Sequence, residues 1–299
     1  VLKIVSGIPF IGQSTDQYRV KVLELGNGQV EGSVSRVIEW TEADWSPQVM
    51  ADHLEMVRQF REENPDEVEA RNRDRAGRRA RTRVRRLVKA MGADTLLTLT
   101  YRALVPDLAR AKADLKEFNR RMLRILPGFR FVACFELQKR GCWHMHLATA
   151  GLPTFFERVN DTGQKYRVKS FDVFRAVWRS VTGENGGNID LARRKRNSQR
   201  GPAKIAAYIA KYIGKAFLEG MDKGINRWAK YGNVEAPLVV DHGIVGNLLD
   251  ALGIVYAAVD GSGGVHDVAS RVLDRWKDWF FLAAERPRLM INSHQSAAV

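Results

Sequence analysis

Two strand-like runs, Arg130 to Gln138 and Trp143 to Thr149, are separated only by Lys139-Arg140-Gly141-Cys142. Parallel strands need a crossover of a dozen or more residues, so a link this short forces an antiparallel hairpin. A doubly wound parallel sheet is thereby excluded for this part of the chain. Around the hairpin, strand and helix patterns alternate. A strand is expected at Thr95 to Tyr101, a helix at Asp107 to Leu126, and, after the hairpin and a loop, a helix at Phe171 to Val181. A short strand at Asn188 to Ala192 and a helix at Pro202 to Leu218 follow. The fold class expected is α+β, a central antiparallel β-sheet flanked by helices.

Upstream, the runs Tyr18 to Leu25 and Gln29 to Trp40 flank Gly26-Asn27-Gly28, the pattern of a β-hairpin. Ser46-Pro47 opens a helix with Ser as N-cap and Pro at its first position, and Asn64-Pro65-Asp66-Glu67 opens another in a capping-box pattern. Charge along these helices comes in blocks. Residues 39–69 carry ten acids against Arg58 and Arg61, whereas Arg71 to Lys89 holds nine Arg and one Lys against Asp74 alone. The basic block, on a helix ending near Gly92, is either a solvated face paired with the acidic helix or a phosphate-contacting surface. After Pro237 the chain reads as helical, with a break at Gly261-Ser262-Gly263-Gly264. Three segments are expected: 1–92, an accessory hairpin with charged helices and possible DNA contact; 93–220, the catalytic domain; and 221–299, a helical accessory region.

The net charge of +14 favours a polyanionic partner, nucleic acid ahead of an anionic membrane surface. Cys134 and Cys142 are too few for a disulfide framework and lack zinc-knuckle spacing, as in a protein of a reducing compartment. No apolar run approaches the roughly 20 residues that span a bilayer, and no signal pattern opens the chain, so a soluble, cytoplasmic protein without a membrane partner is expected. The first residue is Val1 rather than Met, so a natural start further upstream is expected.

Chemistry concentrates in two places. In His144-Met145-His146 the alternation of strand side chains puts both imidazoles on one face, where they can grip one cation or simply hydrogen-bond within the sheet. Glu136 and Gln138 share a face of the preceding strand, and an odd-length loop brings all four side chains together, whereas an even one splits them. Two imidazoles with a carboxylate or amide leave positions open for water and phosphate oxygens, which suits Mn²⁺ or Mg²⁺; zinc also accepts such a set. The second place is the run Gly201 to Lys215, where Ile205, Ile209, Ile213 and Phe217 form an apolar helical stripe and Lys204, Lys211 and Lys215 gather on another side. Tyr208 and Tyr212 fall between them, either as packing residues or as phenols presented beside ammonium groups. A phenol with pKa near 10 attacks only with help from local positive charge, a polarised phosphate or a base, and Lys211 supplies the first of these.

The order Leu96-Leu97-Thr98-Leu99-Thr100-Tyr101-Arg102, then His144-Met145-His146, then Tyr208-Ile209-Ala210-Lys211-Tyr212 resembles the three signature motifs of the HUH endonucleases. It is most similar to the two-tyrosine rolling-circle replication initiators of single-stranded DNA phages and related plasmids. Gly187 to Leu191 looks like the strand that precedes the tyrosine helix there, and the resemblance covers about residues 94–219. It implies Mg²⁺ or Mn²⁺ held by His144, His146 and an upstream residue, Glu136 with Gln138 as its competitor. It implies Tyr208 and Tyr212 as nucleophiles and Lys211 as the cation that orients the phosphate. The implied activity is nicking of single-stranded or hairpin origin DNA through a 5′-phosphotyrosyl link, with later rejoining and with a host helicase and polymerase as further partners. A conjugative relaxase or a single-strand transposase shares that chemistry, and a non-enzymatic nucleic-acid-binding protein is the alternative of another class. Arg193, Arg194, Lys195, Arg196 and Arg200 before the helix, and Lys215 within it, are expected at the DNA backbone. Trp143 and Trp178 are candidates to stack on unpaired bases or to fill the core.

Overall fold

The computed structural model of the chain describes residues 1–193, 204–211, 227–261, 267–274 and 279–285. These form two compact units. The first gathers residues 1–24, 28–75 and 237–287, and the second residues 25–27 and 76–236 with the end of the chain. The fold is α+β with antiparallel sheets.

In the first unit, β1 (Leu2–Val5), β2 (Ile8–Gly26) and β3 (Gln29–Glu42) continue into β13 (Trp279–Glu285) and β12 (Asp267–Asp274), while β11 (Val240–Val245) also pairs with β2. The hairpin expected around Gly26-Asn27-Gly28 is there, all three turn residues having positive φ, and its strands run longer than expected. Helix α6 (Leu248–Gly261) lays Ala251, Val255 and Val259 against Val20, Val22, Val30 and Val34. It approaches β3 so closely that a Cβ on Gly32 would stand 2.3 Å from Val255, so only glycine fits there. The C-terminal stretch expected to be helical is therefore mostly strand among its described residues. Its apolar runs are short enough for either element, and pairing with β2 and β3 decides in favour of strands.

Helix α1 (Pro47–Glu63) starts as expected, the Ser46 hydroxyl accepting from the Val49 amide. The capping box expected for α2 (Pro65–Ala90) does not form. The Asn64 side-chain amide donates back to the Phe60 carbonyl at the end of α1, and Glu67 pairs with Arg71 one turn on. The open carbonyls that end α1 and the open amides that begin α2 meet at this one residue, and the carbonyls take its side chain.

The second unit is built on a five-stranded sheet in the order β10 (Trp228–Tyr231), β5 (Phe131–Leu137), β6 (Trp143–Thr149), β4 (Thr95–Tyr101), β9 (Gly186–Arg193), with every neighbouring pair antiparallel. One face carries Leu97, Leu99, Phe131, Ala133, Phe135, Met145, Leu147 and Ile189, covered by α3 (Leu108–Ile125) and α4 (Ser170–Thr182). Fully burying side chains of this size stabilises by about 1.5–3 kcal/mol each, so Phe118, Phe174 and Trp178 bind these helices firmly to the sheet. The opposite face carries Val132, Cys134 and Ala148 under Val84, Leu87 and Val88 of α2 and under Ala206 and Ile209 of α5, residues 204–211. The stretch between β6 and α4, expected as a loop, contains the hairpin β7 (Phe155–Val159) and β8 (Lys165–Lys169). Strand β10 extends this sheet past the boundary expected at residue 220. Among the described residues, no helix is long and apolar enough to cross a membrane.

Candidate functional site

Register decides which side chains meet. Leu137 pairs with Trp143, so the link 138–142 has odd length and Glu136 stands opposite His144. His146 stands opposite Cys134 on one side and opposite Thr98 of β4 on the other. Glu136, His144, His146 and Thr98 thus share the sheet face that α5 covers, at the edge of its apolar patch.

His146 is buried and held at both ring nitrogens. Nε2 lies 2.9 Å from Glu136 Oε2, and Nδ1 lies 3.2 Å from the Thr98 hydroxyl. A carboxylate only accepts, so here Nε2 carries the proton and donates to Glu136, while Thr98 donates to Nδ1. Thr98 can equally accept from Nδ1 in the other tautomer, which frees Nε2 as a ligand. His144 has no such hold: its Nε2 is buried without a hydrogen-bond partner. Burial first, then the neighbouring His146 and Arg140, pushes its pKa down to about 4, so at neutral pH it is an uncharged imidazole with a lone pair available. Gln138, the competitor of Glu136, accepts at its Oε1 from Arg140 Nε at 2.9 Å, and the same guanidinium donates to the Tyr101 carbonyl. Glu136, not Gln138, is the side chain that reaches the histidines.

A cation fits this donor set in kind. Two ligands at right angles, each about 2.1 Å from an ion, stand about 3.0 Å apart. The His146–Glu136 separation of 2.9 Å is of that size. The orphaned His144 nitrogen is the donor still to be satisfied. Its ring centroid is 6.5 Å from that of His146, so it must turn to join them. Among the described residues, no group of three His, Cys, Asp or Glu side chains already converges on one point.

Tyr208 stands over this group. Its ring centroid lies 5.9 Å from that of His146, nearly perpendicular at 85°. Ala206 and Ile209 anchor α5 in the core while Tyr208 remains 39% exposed and Lys211, three residues on, is exposed. This is the border position that the helical spacing predicted. Tyr101 is the contrast: buried, its hydroxyl donating to Asp114 at 2.9 Å, with burial driving its pKa far upward, it cannot be an attacking phenol.

Tyr212, Lys215, Arg194, Lys195, Arg196 and Arg200 lie outside the described residues. Arg193 gives its guanidinium to the carbonyls of Leu152 and Pro153, fastening the loop after β6 to β9. Trp143 and Trp178 are core residues and do not serve as stacking platforms: both are almost fully buried, their indole nitrogens donating to the carbonyls of Pro106 and Thr100. Sequence reasoning gave no role to Thr98 or to Asp190, which stands opposite Thr98 in β9 with its side chain exposed. The alternation of Thr98 and Thr100 with Leu97 and Leu99 was the available signal.

Residues 94–217 match the family model described as Replication-associated protein ORF2/gene 2 protein. The match spans the whole sheet except β10, together with α3, α4 and α5, and is consistent with a rolling-circle replication initiator. No curated protein and no solved structure matches the chain.

Proposed function

We propose that this chain is a rolling-circle replication initiator that nicks single-stranded or hairpin origin DNA by tyrosine transesterification and later rejoins the strand. The observation that carries the reading is an exposed phenol, Tyr208, set edge-on against His146 beside Glu136 and the unsatisfied His144. Mg²⁺ or Mn²⁺ held by His144, His146 and Glu136 would supply Lewis-acid polarisation of the scissile phosphate. Lys211, on the exposed side of the same helix, balances the phosphate charge beside the phenol. The Tyr208 oxygen bonds to phosphorus as the P–O3′ bond breaks. The phenolic proton passes to solvent, and the departing oxygen becomes a 3′-OH from which a host polymerase extends, with a helicase opening the duplex. One phosphodiester replaces another, so the released 3′ end can attack the tyrosyl link and reseal DNA without ATP. By its spacing in the sequence Tyr212 is the second nucleophile, cutting the regenerated origin.

The test is incubation of the protein with end-labelled single-stranded DNA and Mn²⁺, followed by a denaturing gel. A labelled adduct that resists denaturation is expected, and it disappears in the Tyr208→Phe, Tyr212→Phe double variant. Cleavage without any adduct, or an adduct that survives in the double variant, removes both tyrosines from the mechanism.

A further inference from the structure

Helix α1 is amphipathic yet buries none of its residues. Val49, Met56 and Phe60 lie along one stripe, Leu54 beside it, and Leu54 and Met56 are more than half exposed. Between α1 and the first turns of α2 runs a groove of about 650 Å³. Met56, Val57, Phe60 and Val68 form its apolar walls, and Arg61, Arg71 and Arg75 stand along it. A groove with aliphatic walls and a cationic rim suits an acidic amphipathic helix better than it suits stacked bases, which want several aromatic faces.

Such a helix is present in the chain itself. Helix α1 carries Asp52, Glu55, Glu62 and Glu63 beside its uncovered apolar stripe. We infer that the α1–α2 groove is a homodimer interface, occupied by α1 of a second copy. Two α1 helices running antiparallel about the point between Met56 and Val57 are self-complementary. Because each residue rises by the same step, Asp52 of each copy comes level with Arg61 of the other, and His53 with Phe60. Neither Asp52 nor Arg61 has an ion-pair partner among the described residues. Asp52 receives only the Gln48 amide, whereas Glu55 and Glu62 are engaged by Arg58 and Glu67 by Arg71. The pair left over in each protomer is the pair that this symmetry brings together.

Sedimentation velocity of the full chain at micromolar concentration and physiological salt tests the interface. A dimer is expected, and Met56→Glu abolishes it while the circular dichroism stays unchanged, because the side chain is already exposed. Arg61→Asp and Asp52→Arg each weaken dimerisation roughly tenfold or more through like-charge contact, and combining them restores it. A wild-type protein that stays monomeric overturns the proposal, and so does a charge swap that fails to rescue. A monomer whose Arg61→Asp variant loses single-stranded DNA binding would give the groove to nucleic acid instead. None of these outcomes depends on nicking.

Discussion

The two faces of the five-stranded sheet are made by the same strands, residue by residue in alternation, and do opposite things. Toward α3 and α4 the strands contribute large apolar side chains, and Phe118 of α3 meets Phe129 and Trp178 edge-on above them. Toward α5 the same strands present smaller residues, Val132, Cys134 and Ala148, and then break off into Thr98, Glu136, His144 and His146. One face gives the sheet its rigidity. The other uses that rigidity to hold an imidazole nitrogen buried without a hydrogen bond, an arrangement that costs stability and that a flexible scaffold would relax away.

Substitutions on the two faces should therefore separate stability from function. The largest loss of stability is expected from Phe118→Ala, which empties a fully buried site and should lower the unfolding free energy by about 3–5 kcal/mol in denaturant titration. A loss below about 1 kcal/mol would mean that this face is not the supporting one. On the other face, Thr98→Val removes only the hydroxyl that holds His146 Nδ1. Folding should be little changed, while Mn²⁺ affinity measured by calorimetry falls roughly 10–100-fold, and Thr98→Ser should restore most of it. Equal metal affinity in the Val variant would show that Thr98 is packing and not positioning. The smallest effect concerns the cysteines, one of which lies under each face. Burial pushes Cys134 up to about 12, and Cys142 is buried too, so neither should react with iodoacetamide at pH 8 in the native protein. Rapid alkylation of the native chain would mean that the sheet opens far more readily than its packing implies.

How the sequence disclosed these faces is uneven. The register of Glu136 against His144 was legible because a short link leaves few registers and strand alternation leaves two faces. The α5 border position of Tyr208 was legible from helical spacing alone. Pairings between distant segments were not. Nothing local in Trp279 to Glu285 announces that it lies beside β3, and an apolar run of that length suits either element until its neighbour is known. The indoles of Trp143 and Trp178 and the guanidinium of Arg193 look available for DNA in a sequence, and they are spent on backbone carbonyls that only the folded chain brings near. Thr98 was overlooked because a threonine in a strand pattern looks like surface until its partner across the sheet is a histidine.

The attacking group can be identified by mass spectrometry of the adduct formed on single-stranded DNA after nuclease and trypsin digestion. Trypsin cuts after Lys204, Lys211 and Lys215, so Tyr208 and Tyr212 fall on separate peptides, Ile205 to Lys211 and Tyr212 to Lys215. A nucleotide carried on Tyr208 is the expected result, given its place against His146. An adduct confined to the Tyr212 peptide, or one on neither, would contradict the assignment of Tyr208 as the phenol that meets the phosphate.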